Sequence, residues 1–261
     1  MKRDFQVFIY SDYPSVSLNI DLVLERINKL GFSIEYRGNL VDYLSLSEQD
    51  IYKLARNLSS VQIPDISTPL DNTNPANRNE IDSEVNRILG RESVRGKFYD
   101  GYWVQRILYR TLAEKVADEI KSGFIHLIFT SLLFGTFENR RYHARVVLMG
   151  TPALVSTSGL VEAPAKPKEY YYIKGRLIQT GGDVSELDNM YKERFVEYDD
   201  PKISSILPSY ALQAIRYEIT GNAFCEDPQC CLFNSHWQGE VLKVQYNGNP
   251  CEKCLESIRV K

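Results

Sequence analysis

Residues 5–36 read FQVFIYSDYPSVSLNIDLVLERINKLGFSIEY, and this stretch decides the fold class. Phe5, Val7 and Ile9 alternate with less apolar neighbours, the two-residue period of a strand. Ile20, Val23, Leu24, Ile27 and Leu30 then recur at helical spacing until Gly31 supplies a stop, after which Phe32, Ile34 and Tyr36 alternate again. A strand, a helix and a second strand in that order need a crossover, which is right-handed by rule and leaves the two strands parallel in one sheet. The chain begins as an α/β protein.

Working outward, Ser47 with Asp50 three residues on has the capping-box pattern, and the apolar period runs through Leu54 as a helix. Residues 67–78 (STPLDNTNPANR) have no apolar period and many turn formers, which predicts an exposed, mobile loop. Helical patterns resume over 81–89 and again over 102–120, where Val104, Ile107, Leu108 and Leu112 share one side. The dense apolar run Phe124 to Phe129 predicts a buried strand. After a polar turn at 138–141, the alternation of Tyr142, Ala144, Val146 and Leu148 predicts a second strand, antiparallel to the first. The prolines and Gly159 within 152–167 predict an irregular loop beside the sheet. Tyr170, Tyr171 and Tyr172 fit a partly buried strand or a platform for a ligand. Ile203, Ile206, Leu207, Tyr210, Ala211 and Ala214 mark a last long helix running toward Gly221.

Composition bounds the function. The 261 residues, 43% of them apolar, can bury a sizeable core. With 31 basic against 34 acidic residues, a net charge of −3 and no basic run, nucleic acid is a poor partner. No segment has the roughly 18 apolar residues of a membrane span. Met1-Lys2-Arg3-Asp4 leads into a strand pattern and not into a signal peptide's apolar segment, so a soluble cytoplasmic protein is expected. The P-loop, the dinucleotide-binding glycine motif and the nucleophile elbow of serine hydrolases are all missing.

All five cysteines lie between Cys225 and Cys254. Cys225 and Cys230 form a C-x4-C pair, Cys251 and Cys254 a C-x2-C pair, and the 20 residues between the pairs contain Gly239, Gly248 and Pro250, enough to fold back. A tight turn presents two thiolates at once, and two such turns complete the tetrahedron of a structural zinc site. The spacing therefore predicts one structural zinc per chain on Cys225, Cys230, Cys251 and Cys254, with Cys231 or His236 as alternative ligands.

This cysteine pattern resembles that of the archaemetzincins, zinc metallopeptidases of the metzincin clan, whose signature H-E-x-x-H-x-x-G-x-x-H runs directly into C-x4-C-x-M and, after a spacer, C-x2-C. Leu232 stands at the methionine position here, and the spacer is slightly longer. Counting back from Cys225, the third histidine position holds Phe224, the glycine position Gly221, the second histidine position Glu218, the general-base position Ile215 and the first histidine position Ala214. Every histidine of the motif is replaced. The resemblance implies a metzincin-like mixed β-sheet with flanking helices and a C-terminal zinc-knuckle element. It also implies a zinc-binding homologue that lacks ordinary peptidase catalysis and retains a peptide- or protein-binding groove. On that reading residues 1–66 are an N-terminal α/β segment of the sheet and 67–98 an exposed loop and linker helix. Residues 99–261 are then the metallopeptidase-like region, all within one compact domain.

Two alternatives stand beside it. An active metal-dependent hydrolase would recruit relocated ligands, Glu218 with His143, His126 or Glu162, and a zinc-ribbon module would bind another macromolecule. His126 sits between Ile125 and Leu127 in an apolar strand and reads first as a hydrogen-bonded core histidine. His143, flanked by Arg141 and Arg145, and Glu162, held in a proline-bounded segment, are candidates to face a cleft together with Glu218.

Overall fold

The structure is a computed structural model that describes residues 5–12, 18–92 and 96–258; the reading of Met1 to Asp4 falls outside these residues. The predicted strand, helix and strand are β1 (Gln6–Ser11), α1 (Ile20–Asn28) and β2 (Ser33–Asn39), and the two strands pair in parallel. Asn39 caps a single helical turn, α2 (Leu40–Tyr43), and Ser47 with Asp50 forms the expected capping box on α3 (Glu48–Ser59). Next come α4 (Arg78–Ile88), capped by Asn77 and Glu80, the short strand β3 (Phe98–Asp100) and α5 (Gly101–Lys115). Five strands follow: β4 (Phe124–Thr130), β5 (Leu133–Glu138), β6 (Arg141–Arg145), β7 (Val147–Leu148) and β8 (Ala153–Ser156). The helices α6 (Thr157–Glu162), α7 (Lys168–Thr180), α8 (Val184–Tyr191), α9 (Lys202–Thr220), α10 (Gln238–Val244) and α11 (Glu252–Ile258) end the described chain.

The main sheet has the order β2-β1-β4-β8-β7, parallel except for β7, and a second sheet has the order β3-β5-β6. Successive side chains of a strand point to opposite faces, so each buried strand feeds two cores. Val7, Ile9, Ile125, Leu127, Phe129, Ala153 and Val155 enter one core with α1, α9 and the cysteine-bearing C-terminus. Phe8, Tyr10, Ile128 and Leu154 enter the other with α3, α4 and α5. The result is three layers, helix on sheet on helix. None of the described helices is long and apolar enough to cross a membrane.

Four local expectations change. The strand containing Tyr142 pairs antiparallel with β5, not with β4. The half-buried Asp12 carboxylate accepts from the Thr130 hydroxyl (2.8 Å) and from the Ser131 amide (2.7 Å), which pins a turn at the end of β4 and starts a new strand at Leu133. Within 152–167 the chain forms β8 and α6, because the Ser156 hydroxyl accepts from the Gly159 amide and caps a helix short enough to end before Pro164. Gly159 is needed there, since a Cβ would meet the Arg145 carbonyl oxygen of β6. The tyrosines at 170–172 lie on α7, not on a strand: consecutive helical residues are about 100° apart, so Tyr170 is buried while Tyr171 and Tyr172 are exposed. The 67–78 segment is exposed but tied down, with Leu70 held by the Tyr142 hydroxyl (2.9 Å) and by the Trp103 indole N–H (3.2 Å), and with the Asn74 amide on the Ser60 carbonyl (2.8 Å).

His126 is the core histidine that its strand implies. Its Nε2 faces the Glu119 carbonyl at 3.1 Å and its Nδ1 faces the Tyr10 hydroxyl at 3.1 Å. A carbonyl can only accept, so Nε2 carries the proton and Nδ1 accepts from Tyr10, whose oxygen in turn accepts from Arg37 at 2.8 Å. Burial pushes the His126 imidazole below its ordinary value. The unfolded chain takes up this proton near pH 6.5 and the folded chain only at lower pH. Stability from His126 is therefore complete above pH 6.5 and lost as the pH falls toward the folded value. We expect the urea unfolding free energy to drop on acidification by at most about 1.4 kcal/mol per pH unit from this group. His126→Gln should flatten that slope, and an unchanged slope in the variant would contradict this account.

Candidate metal centre

Helix α9 connects the sheet to the cysteines. From Ile203 to Arg216 every residue except the half-buried Ser205 is buried, and the helix packs on α1, α11, β4, β7 and β8. Gly221, in the left-handed conformation (φ +75), ends it as the sequence predicts. A stripe at Ser209, Gln213 and Arg216, spaced four and three residues apart and so on one helical face, bonds to the cysteine-bearing segment. Ser209 donates to the Gln245 carbonyl (3.0 Å), Gln213 to the Phe233 carbonyl (3.2 Å) and Arg216 to the Phe224 carbonyl (2.5 Å). Sequence reading missed this stripe. The only signal for it was three polar side chains at helical spacing within an otherwise apolar helix.

On that platform the Sγ atoms of Cys225, Cys230, Cys251 and Cys254 lie within 4.8 Å of one another, with 3.7 Å between Cys225 and Cys251. A tetrahedron of thiolates about 2.3 Å from zinc has edges of about 3.8 Å, so the set fits the ion. All five cysteines are free thiols. Local hydrogen bonds shape the two turns: the Asp227 amide points at Cys225 Sγ (3.4 Å) and the Cys251 amide at Cys230 Sγ (3.3 Å), the usual support for metal-bound sulfur. The Cys225 amide bonds the Leu232 carbonyl (2.9 Å) and the Phe233 amide the Cys230 carbonyl (2.8 Å), which closes the loop. Cys231, fully buried, lies outside the four-sulfur group, and His236 is exposed with its amide on Glu240 Oε2.

Four thiols at this separation cannot all ionise without a cation. A hydrogen bond from Cys231 above all, with the nearby amides, holds Cys230 down at about 4, while burial pushes Cys225 and Cys254 up. A divalent ion removes that conflict by neutralising the shared charge.

The other candidate residues do not converge. Among the described residues the four cysteines are the one group of three or more histidine, cysteine or carboxylate donors close enough to share an ion. His126 has both ring nitrogens engaged in the core, His143 Nε2 lies 3.2 Å from the Glu138 carbonyl on the β5–β6 hairpin, and Glu162 accepts from the Tyr198 hydroxyl at 2.9 Å. Glu218 lines a hollow of about 350 Å³ with Tyr109, Lys121, Phe124 and Thr151, at the amino end of β4, and burial raises its carboxyl above the ordinary value. Ala214 and Ile215 are 0% exposed within the apolar core, and Phe224 lies on the surface.

Sheet, helix and thiolate cluster together define a zinc-binding mixed α/β protein. Residues 3–259 match the family described as "Probable metallopeptidase family (DUF6775)", and the chain belongs to that family. Two solved structures are similar to it over most of their length. One is archaemetzincin from Methanopyrus kandleri, 11% identical with a TM-score of 0.44, the match covering 97% of this chain and 93% of that one. The other is a zinc-dependent peptidase from Methanocorpusculum labreanum, 13% identical with a TM-score of 0.45, the match covering 97% of this chain and 99% of that one. None of the curated proteins matches.

Proposed function

We propose that this chain is a zinc-binding member of its metallopeptidase family that does not hydrolyse peptides in the ordinary way, its zinc being structural, and that it binds a peptide or protein instead. The observation that carries the reading is the state of α9. A peptidase zinc needs three protein ligands, an open position for water and a carboxylate base. The positions that would supply the first ligand and the base are Ala214 and Ile215, apolar and sealed in the core. Glu218 alone retains a donor, and one carboxylate does not hold a catalytic zinc.

Metal analysis after exhaustive dialysis tests this directly. One zinc per chain, with no cleavage of a mixed peptide library beyond a chelator-treated control, is the expected result. Two zinc ions per chain, or chelator-sensitive cleavage abolished by Glu218→Gln, would establish a working enzyme with relocated ligands.

A further inference from the structure

A cleft of about 1000 Å³ lies between α3 and α5, on the sheet face opposite α9, and is walled by residues 72–76. Its charges divide into two ends. Lys53 pairs with Glu114 (3.1 Å) and Lys115 with Asp50 (3.0 Å), so the ion pairs that join α3 to α5 consume both carboxylates in the lining. Arg56, Arg106 and Arg110 are exposed and pair with no carboxylate among the described residues, and Arg106 lies over the Trp103 ring at 5.2 Å. Arg106 and Arg110 are four residues apart on α5 and project from one face. Three uncompensated guanidinium groups in one concavity of a chain with net charge −3 are a local reversal of sign.

We infer that this cleft binds an acidic peptide segment through Arg56, Arg106 and Arg110. Guanidinium forks take carboxylates in pairs of parallel hydrogen bonds. The same cleft is lined by Asn57, Asn72 and Asn74, whose side-chain amides neither cap a helix nor bond another side chain among the described residues. An amide both donates and accepts, which suits the N–H and C=O groups of a peptide backbone; a phosphodiester backbone offers acceptors only. The chemistry therefore favours a peptide over a nucleic acid. The 67–78 segment acquires a role as a wall, fixed by its bonds to Ser60, Trp103 and Tyr142. This site is separate from α9 and stands whether or not the chain cleaves peptides.

The test is fluorescence anisotropy of a labelled oligo-glutamate peptide with the zinc-loaded full chain at low salt, beside an oligo-lysine peptide and a single-stranded oligothymidylate. The acidic peptide is expected to bind in preference to both. Arg106→Ala with Arg110→Ala should weaken it at least about tenfold, Arg106→Lys with Arg110→Lys should weaken it less, and added salt should weaken it progressively. These side chains are exposed, so melting temperatures should stay at the unmodified value and separate lost binding from lost folding. No anisotropy change with oligo-glutamate, equal affinity in the double alanine variant, or tighter binding of the oligothymidylate would each overturn the inference. Two zinc ions per chain would overturn the non-hydrolytic reading above and leave this one intact.

Discussion

Cys254→Ser should lower the unfolding free energy by about 4 kcal/mol or more, because loss of a structural metal belongs to the small class of substitutions with effects this large. Cys254 is fully buried at the start of α11, and its sulfur is one of four that meet within 4.8 Å. Without it the remaining thiols cannot complete a tetrahedron, and the ion that joins the 225–233 loop to α11 is lost. That segment does not stand apart from the fold. Cys230, Leu232, Val241, Cys254 and Ile258 belong to the same core as the sheet residues Val7 and Leu127. The loss should therefore appear in global unfolding as a fall in melting temperature of roughly 10 °C or more. A chelator should reproduce the effect in the unmodified chain and add little to Cys254→Ser. Cys231→Ser is the control for packing: Cys231 is equally buried but outside the sulfur group, so this variant should keep its zinc and its full chelator response. Melting of Cys254→Ser within a degree or two of the unmodified chain, or an identical chelator response in both variants, would remove the metal from the account.

The second large effect lies on the other face of the sheet. Glu84→Ala should cost about 3–5 kcal/mol, the usual penalty for stranding one partner of a buried ion pair. Glu84 is fully buried on α4, where it pairs with Arg87 at 2.7 Å and accepts from the Tyr99 hydroxyl at 2.8 Å. Arg87 reaches on to Asp12 at 3.5 Å, and Asp12 holds Thr130 and Ser131, so the chain of contacts clamps α4 onto the carboxyl ends of β1 and β4. Burial works against charge on Arg87, and the coulombic pull of Glu84 and then Asp12 more than restores it. Removing Glu84 leaves a guanidinium in the core with Asp12, at 3.5 Å, in place of the closer of its two carboxylates. Glu84→Gln, which keeps one acceptor oxygen for Arg87 and turns its NH2 toward the Tyr99 oxygen, should recover part of the loss. Urea unfolding of both variants decides the matter, and a loss below about 1 kcal/mol for the alanine variant would show that water reaches Arg87 when its partner is gone.

The sequence was informative wherever the determining interactions are local. The strand, helix and strand of residues 6–39 follow from periods of 2 and 3.6 residues. The capping box at Ser47 and the stop at Gly221 follow from backbone chemistry within a few residues. Pairs of cysteines with two and four residues between them chelate by virtue of their spacing alone. The antiparallel partner of β6 was not legible, because it depends on Asp12 meeting Ser131, 119 positions away, and turning the chain before β5. Nor was the helical state of Tyr170 to Tyr172, a run of three identical residues that carries no period to read.

By itself, then, the sequence determined the α/β class, the long helix ahead of the cysteines and the two chelating cysteine pairs, since composition and spacing specify these without reference to distant residues. Only the tertiary structure decided that Ala214 and Ile215 are sealed in the core, that His126, His143, Glu162 and Glu218 do not gather, and that three arginines from α3 and α5 face one cleft. The physical reason is that burial and charge neighbourhood are set by contacts between segments far apart in the chain, and those contacts are fixed only when the layers pack.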